Sequence, residues 1–362
     1  MLKRSSWMAG KSGIMIHYLP PCVEGPNGEK YTSADDSVNS FDVPAFIKQF
    51  TKLNAEWLIF TLGQNTGFYN APNRTLEEQV GPGHCAKRDL AGELAKAVHE
   101  CGKRFIAYLP MEMHCNPLRG QCFWAEPTGS LPLSAQKPFQ KFWNKVVEEW
   151  SLRYGKLLDG WFFDGGYCLI QTKEERSKLF AAARAGNPDS ALSLNYSGFD
   201  IWDAELIHEE EDYFSGETTL LKEGLPLTHW RDRSKEGVDF LGIPPSENAY
   251  PKHVLYEPEN NTVPGHPEVL MQTLVPIDSF WCRKSNVEFL WDNPDSVYMK
   301  HPDLLKDGEM EPPMYSREEL RKLLRTFCGK GAAVTLNLGV FANGSLGKET
   351  VKRIDGLLNQ QQ

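Results

Sequence analysis

The sequence predicts an α/β fold, a (β/α)8 TIM-type barrel, and three observations carry that prediction. Short apolar runs alternate with amphipathic helical stretches from Gly13 to Leu358. The runs are apolar on both faces, the pattern of a parallel sheet covered by helices. About eight such runs fit in the chain, as a closed barrel needs. No Gly-x-Gly-x-x-Gly follows the first run and no phosphate-binding lysine loop occurs, which weakens an open, doubly wound nucleotide-binding sheet.

The elements follow in order. Residues 13–18 (GIMIHY) read as a buried strand, and residues 43–53 as a helix with Phe46, Ile47 and Phe50 on one face. Residues 56–62 (EWLIFTL) are the second strand. Residues 89–101 form a helix whose Leu90, Leu94, Ala97 and Val98 share a stripe, with Gly102 as its stop signal. A third strand at 105–109 (FIAYL), a long helix at 137–154 and a fourth strand at 158–163 (LDGWFF) come next. The alternation continues with a helix at 173–185, a strand at 191–195 (ALSLN) and apolar runs at 254–256 and 269–275. It closes with a helix at 317–329, a strand at 332–338 (AAVTLNL) and a helix at 348–358.

The stretch 220–314 is rich in Pro and Asn and poor in helical periodicity. It reads as an extended loop or small subdomain over the barrel mouth, since loops of that length are uncommon without a function. Residues 1–362 are therefore expected to form one barrel domain.

Composition narrows the function classes. The 362 residues are 41% hydrophobic, enough for a large core, which excludes a disordered tail protein and a disulfide-stapled mini-domain. With 39 basic and 48 acidic residues the formal charge is −9, so neither nucleic acid nor an anionic membrane is the expected partner. No window approaches 18 uncharged apolar residues, so no membrane span is expected. The expected location is cytoplasmic as written, and secreted or periplasmic where a leader has been removed. Eight scattered cysteines without a Cys-x-x-Cys read as reduced structural thiols. His84-Cys85 and His114-Cys115 read as unrelated loop residues rather than metal ligands.

In such a barrel the C-terminal ends of the strands carry the active site. That rule selects His17, Gln64, Asn65, Glu112, His114, Asp164 and Tyr196. Asp164 stands out, because it leaves the apolar run Trp161-Phe162-Phe163 into Gly165-Gly166, where no side chain covers it. A carboxylate there serves as nucleophile or ligand. Glycosidic hydrolysis needs a second carboxylate. The run from Glu209 to Asp212 reads as a solvated face. Glu217, past Tyr213-Phe214 and a Ser-Gly turn, is the better candidate, with Glu257 in reserve.

Over most of its length the chain resembles glycoside hydrolase family 29, the α-L-fucosidases. KSGIMIHYLP is similar to the family's opening Lys-Phe-Gly-Ile-Phe-Ile-His-Trp-Gly. FDVPAFIKQFTKLNAEWLIFTLGQNTGFY and KRDLAGELAKAVHECGKRFIAYLP follow its second and third βα units. LDGWFFDGGY resembles the strand ending in Trp-Phe-Asp-Gly, and EDYFSGE the segment Asp-Tyr-x-Thr-Pro-Glu. YSREELRKLLRTFCGKGAAVTLNLGVFANGSL is similar to the last unit. The resemblance implies that His17 binds the sugar, that Asp164 is the nucleophile and that Glu217 is the acid/base.

The departures are specific. Where the family has Lys-His-His-Asp-Gly-Phe after strand two, this chain has Gly63-Gln64-Asn65-Thr66-Gly67-Phe68, so amides replace the paired sugar-binding histidines. Amides still hydrogen-bond hydroxyls. The arginine that follows strand five gives way to Asn195-Tyr196-Ser197, and the resemblance covers the catalytic barrel only. Chitinase-like barrels carry Asp-Gly-x-Asp-x-Asp-x-Glu on strand four, but here Gly166 stands where the catalytic glutamate would be.

The resulting expectation is a retaining exo-glycosidase, most like an α-L-fucosidase, acting on a glycan or glycoside. Asp164 and Glu217 do the chemistry, and His17, Gln64, Asn65, Tyr108, Trp161, Tyr196 and Trp281 hold the sugar. The chemistry requires no metal or organic cofactor. The alternatives are a glycosidase of the same fold for another sugar or linkage, and a catalytically silent carbohydrate-binding barrel.

Overall fold

The computed structural model describes residues 2, 4–20, 24–64, 67–111, 133–166, 172–196, 201–202, 207–218, 220–230, 254–278 and 308–359. Seven strands form its main sheet: β1 (Ser12–Ile16), β2 (Trp57–Thr61), β3 (Arg104–Pro110), β4 (Gly160–Asp164), β5 (Ala191–Leu194), β6 (Gln272–Pro276) and β7 (Ala333–Leu338). Their order is β6-β7-β1-β2-β3-β4-β5 and every pairing is parallel. Parallel neighbours need long crossovers. The helices available for them among the described residues are α1 (Ala34–Ser40), α2 (Val43–Leu53), α3 (Arg74–Val80), α4 (Leu90–Glu100), α5 (Leu133–Tyr154), α6 (Lys173–Ala183), α7 (Arg317–Gly329) and α8 (Lys348–Ile354).

Local chemistry sets the helix starts. The side chain of Asp42 accepts from Ala45 N at 2.9 Å and that of Asp89 from Gly92 N at 2.9 Å, filling donors that a first turn leaves open. Thr172 with Glu175, and Ser316 with Glu319, form reciprocal capping boxes. α2 ends where Asn54 turns left-handed at φ 57°, a conformation that asparagine tolerates.

Strand side chains alternate between two faces, and the alternation divides the core in two. Met15, Ile59, Ile106, Phe162, Ala191 and Ala333 point inward and form a small inner cluster. Their neighbours Ile14, Phe60, Phe105, Phe163, Leu192 and Leu336 point outward, in one cluster with α2 Phe46, α4 Leu94, α5 Trp143 and α7 Leu323. Each large apolar side chain so buried contributes about 1.5–3 kcal/mol. Met8, from a short turn at Ser6–Met8, joins the inner cluster, and Trp7 packs edge-on to Trp57 at the start of β2.

The sheet curls as a half-barrel, and the segment 212–218 stands between its edge strands. On one side Asp212 N donates to Leu192 O at 2.8 Å. On the other, Phe214 N donates to Leu270 O at 2.9 Å, Leu274 N to Gly216 O at 2.8 Å and Thr218 N to Leu274 O at 2.9 Å. Isolated parallel bridges pair Tyr213 with Leu270 and Glu217 with Leu274. Seven ladder strands are therefore seen among the described residues, against about eight expected. Gly216, at φ 63°, interrupts the extended backbone that a continuous ladder needs.

Other expectations are corrected. The apolar run at 269–275, within the span 220–314, contributes β6 to the main sheet. The run at 254–256 lies outside the main sheet: Val254–Leu255 pairs antiparallel with Leu225–Trp230 in a small separate sheet. The last helix stops at Ile354 rather than 358, and α6 at Ala183 rather than 185. Helices α1 and α3, seven residues each, are too short to print a clear period on the sequence.

Candidate active site

The inward parity of each strand continues into the residue at or just beyond its C-terminal end. It runs from Met15 to His17, from Ile106 to Tyr108, from Phe162 to Asp164 and from Ala191 through Ser193 to Asn195. Along the 212–218 segment it runs from Tyr213 through Ser215 to Glu217, and in β7 from Ala333 through Thr335 to Asn337. Six positions round the curl, all but β2 from β7 to the 212–218 segment, thus deliver polar side chains to one end.

Asp164 is the centre of this group. Its Oδ1 accepts from Gly165 N at 2.9 Å and from Asn195 Nδ2 at 2.8 Å. Its Oδ2 accepts from the Tyr108 hydroxyl, and Gln64 Nε2 lies 3.4 Å away. Gln64 Nε2 also donates to the Tyr108 hydroxyl oxygen. The Tyr108 ring stacks on Phe162 with centroids 5.6 Å apart, and His17 meets its edge at 4.8 Å. Gly165 adopts φ 79°, a region that glycine enters without steric cost, and turns the chain away from the carboxylate that its N–H meets. Donors converging on a carboxylate fix its direction.

Glu217 faces Asp164 across Asn195, whose Nδ2 donates to Glu217 Oε2 as well. Asn195 Oδ1 accepts from Ser215 Oγ at 3.0 Å. Both carboxylates are half-buried, while Asn195 is fully enclosed.

His17 is buried and hydrogen-bonds Asn337 Oδ1 through Nδ1 at 3.0 Å. Burial pushes its imidazole down to about 4, and the Asn337 hydrogen bond and the charge of Asp164 only partly offset this. At neutral pH the ring is uncharged. With Nδ1–H donated to Asn337, Nε2 is the acceptor nitrogen.

The structure thus brings together His17, Gln64, Tyr108, Asp164 and Glu217 from the sequence-based set. Asn65 and Trp281 lie outside the described residues, as do Glu112 and His114. Trp161 is not at the site. It has the opposite parity to Asp164, is fully buried, stacks on Phe163 at 5.3 Å and donates to Ala183 O at 2.9 Å. Tyr196, next to inward Asn195, turns toward α6, where Arg176 donates to its hydroxyl at 3.0 Å and lies over its ring. Glu257 is exposed and follows the short strand of the small sheet.

The acidic run also differs from a solvated face. Glu211 and Asp212 are buried. Asp212 Oδ2 pairs with Arg184 at 2.6 Å and accepts from Leu192 N at 3.0 Å. Glu211 accepts from His208 N at 2.8 Å and Leu194 N at 3.0 Å. A buried carboxylate persists where donors meet it, and here they fasten the approach to Glu217 onto β5.

Sequence reasoning missed Asn195 and Ser215, whose residue types carry no catalytic signature. Strand parity counted from Asp164 and Glu217 was the available signal. Among the described residues no group of three or more His, Cys, Asp or Glu side chains is disposed to hold a metal ion. No helix among them is long and apolar enough to cross a membrane.

No protein-family model matches the chain, and no curated protein matches it. Solved structures do. The chain is similar to endo-fucoidan hydrolase P5AFcnA from glycoside hydrolase family 107, with a TM-score of 0.57 at 15% identity, covering 99% of this chain and 93% of that one. For endo-fucoidan hydrolase MfFcnA4 from the same family the TM-score is 0.59 at 14% identity, over 97% of this chain but only 52% of that one, about half its length. For α-L-fucosidase AlfC from Lactobacillus casei the TM-score is 0.53 at 14% identity, over 97% and 94% of the two chains. What is shared at these identities is the fold, an α/β architecture similar to that of fucosidase-like glycoside hydrolases.

Proposed function

We propose that this chain is a retaining exo-acting glycoside hydrolase of α-L-fucosidase type, built as one (β/α)8 barrel with segment 212–218 in the eighth strand position. Asp164 is the nucleophile and Glu217 the acid/base. The observation that carries the reading is the amide nitrogen of Asn195, shared by both carboxylates. One amide nitrogen donating to both places the two carboxylates side by side, one hydrogen-bond length to either side of Asn195 Nδ2. Retaining glycosidases hold their carboxyl groups about 5–5.5 Å apart, whereas inverting enzymes need about 6.5–9.5 Å to admit a water.

In the first step Asp164 attacks the anomeric carbon while Glu217 gives its proton to the departing glycosidic oxygen. The C–O bond to the leaving group breaks and a glycosyl ester forms on Asp164. In the second, Glu217 takes a proton from water, the oxygen attacks the same carbon, and the Asp164 carboxylate departs. Tyr108, Gln64 and Gly165 hold Asp164 in its direction. His17 and Gln64 receive the sugar hydroxyls. A terminal fucose is the proposed sugar, supported by the fucose-acting neighbours of this fold.

A panel of aryl glycosides assayed with the wild type and Asp164→Asn tests this. Turnover of the aryl α-L-fucoside, with release of the α-sugar first and a loss of about 10³-fold or more in the variant, supports it. Absence of turnover across the panel, or full activity in the variant, contradicts it. The endo-fucoidan hydrolases among the neighbours favour a second reading, cleavage of an internal fucosyl linkage. Release of oligosaccharides rather than monosaccharide from a fucose polymer would select it.

A further inference from the structure

We propose that Asn195 is a positioning residue that holds the two carboxylates at their working separation and governs how strongly each feels the other's charge. The inference rests on the assignment of Asp164 and Glu217 above.

The main chain of Asn195 clasps Asp164 from both sides. Its N donates to Phe163 O at 2.7 Å, and its O accepts from Gly166 N at 2.8 Å. Gly166 is tight against it: a Cβ there would stand 2.9 Å from Asn195 O. The side chain can adopt only one orientation. An ionised Asp164 accepts and does not donate, so Nδ2 faces Asp164 and with it Glu217, and Oδ1 faces Ser215. The amide is thereby oriented with its nitrogen toward both carboxylates.

Two like charges at this separation raise the proton affinity of the pair. An N–H donated to each oxygen opposes that rise. Asp164 is also held by Tyr108, Gln64 and Gly165. Removal of the amide leaves the carboxylates to face each other directly, so both macroscopic ionisations move to higher pH.

The test measures kcat and KM against pH for the wild type, Asn195→Ala and the near-isosteric Asn195→Asp, with thermal unfolding to establish folding. The expected result is a fall in kcat of about 10- to 100-fold, the weight of one charge-assisted hydrogen bond, with a smaller change in KM. The limbs of the profile for Asn195→Ala should move up by about 1 pH unit. A folded variant with an unshifted profile overturns the inference. If the wild type turns over no glycoside, the assignment above fails separately. The inference is then read from ¹³C titration of the Asp164 and Glu217 carboxyls, where an upward shift in Asn195→Ala supports it and unchanged midpoints overturn it.

Discussion

A Cβ on Gly216 would stand 2.0 Å from the main-chain oxygen of Gln272. No side chain fits there, and Gly216 also holds φ 63°, where L-residues are strained. The Gln272 side chain reinforces the contact, its Nε2 donating to Ser215 O at 3.1 Å and Phe214 O at 3.3 Å. The segment carrying Glu217 is thereby seated on the first residue of β6. Gly216→Ala is expected to cost about 3 kcal/mol of stability and to lower kcat even in the folded fraction, because Glu217 moves with its neighbour. Thermal unfolding and active-site-normalised kinetics check both parts.

Tyr108 and Trp161 separate chemistry from packing. Tyr108→Phe deletes the hydroxyl donor to Asp164 and keeps the ring against Phe162. The expected outcome is a kcat lower by about 10- to 100-fold with little change in melting temperature. Trp161→Phe removes the bond to Ala183 O and leaves packing space beside Phe163. It should cost about 1–3 kcal/mol of stability and leave KM unchanged. A large KM rise in Trp161→Phe would mean that the indole touches substrate after all.

Glu211 gives a pH signature. Burial pushes its carboxyl up from an ordinary 4.5 to about 8, against the lowering influence of the His208 and Leu194 N–H groups and of Arg176. The folded chain therefore binds the proton more tightly than the unfolded one. The Glu211 contribution to stability is highest below pH 4.5, falls as pH rises from there to about 8, and levels off beyond. Glu211→Gln abolishes that titration at the cost of one acceptor for a main-chain N–H. The stability gap between wild type and variant should be widest near pH 5 and narrow toward pH 9; a constant gap would contradict the assignment.

These residues also mark what the sequence made legible. Five consecutive strands and the final one were readable because each is a short apolar run buried on both faces, and Asp164 because a lone carboxylate ends such a run before two glycines. Parity is equally written in the strands but needs a known inward residue as origin; without one the sequence does not show that Trp161 and Tyr196 face away from the site and Asn195 toward it. The acidic run misled because charge alone reads as solvated. Arg184 and Arg4, the partners that bury Asp212, are 28 and 208 residues away in sequence. Gln272–Pro276 was readable as an apolar run, but its place in the sheet depends on pairing with β7 and on the irregular segment 212–218, neither of which a local pattern encodes.

The central claim, that Asp164 attacks the anomeric carbon, is tested most directly by trapping the ester. The protein is incubated with a 2-deoxy-2-fluoro-α-L-fucosyl donor bearing an activated leaving group, then digested and mapped by mass spectrometry. The account predicts one fluorosugar adduct on the peptide containing Asp164, absent from Asp164→Asn. An adduct on a different carboxylate, or hydrolysis of the corresponding non-fluorinated donor with inversion at the anomeric carbon and no adduct, would contradict it.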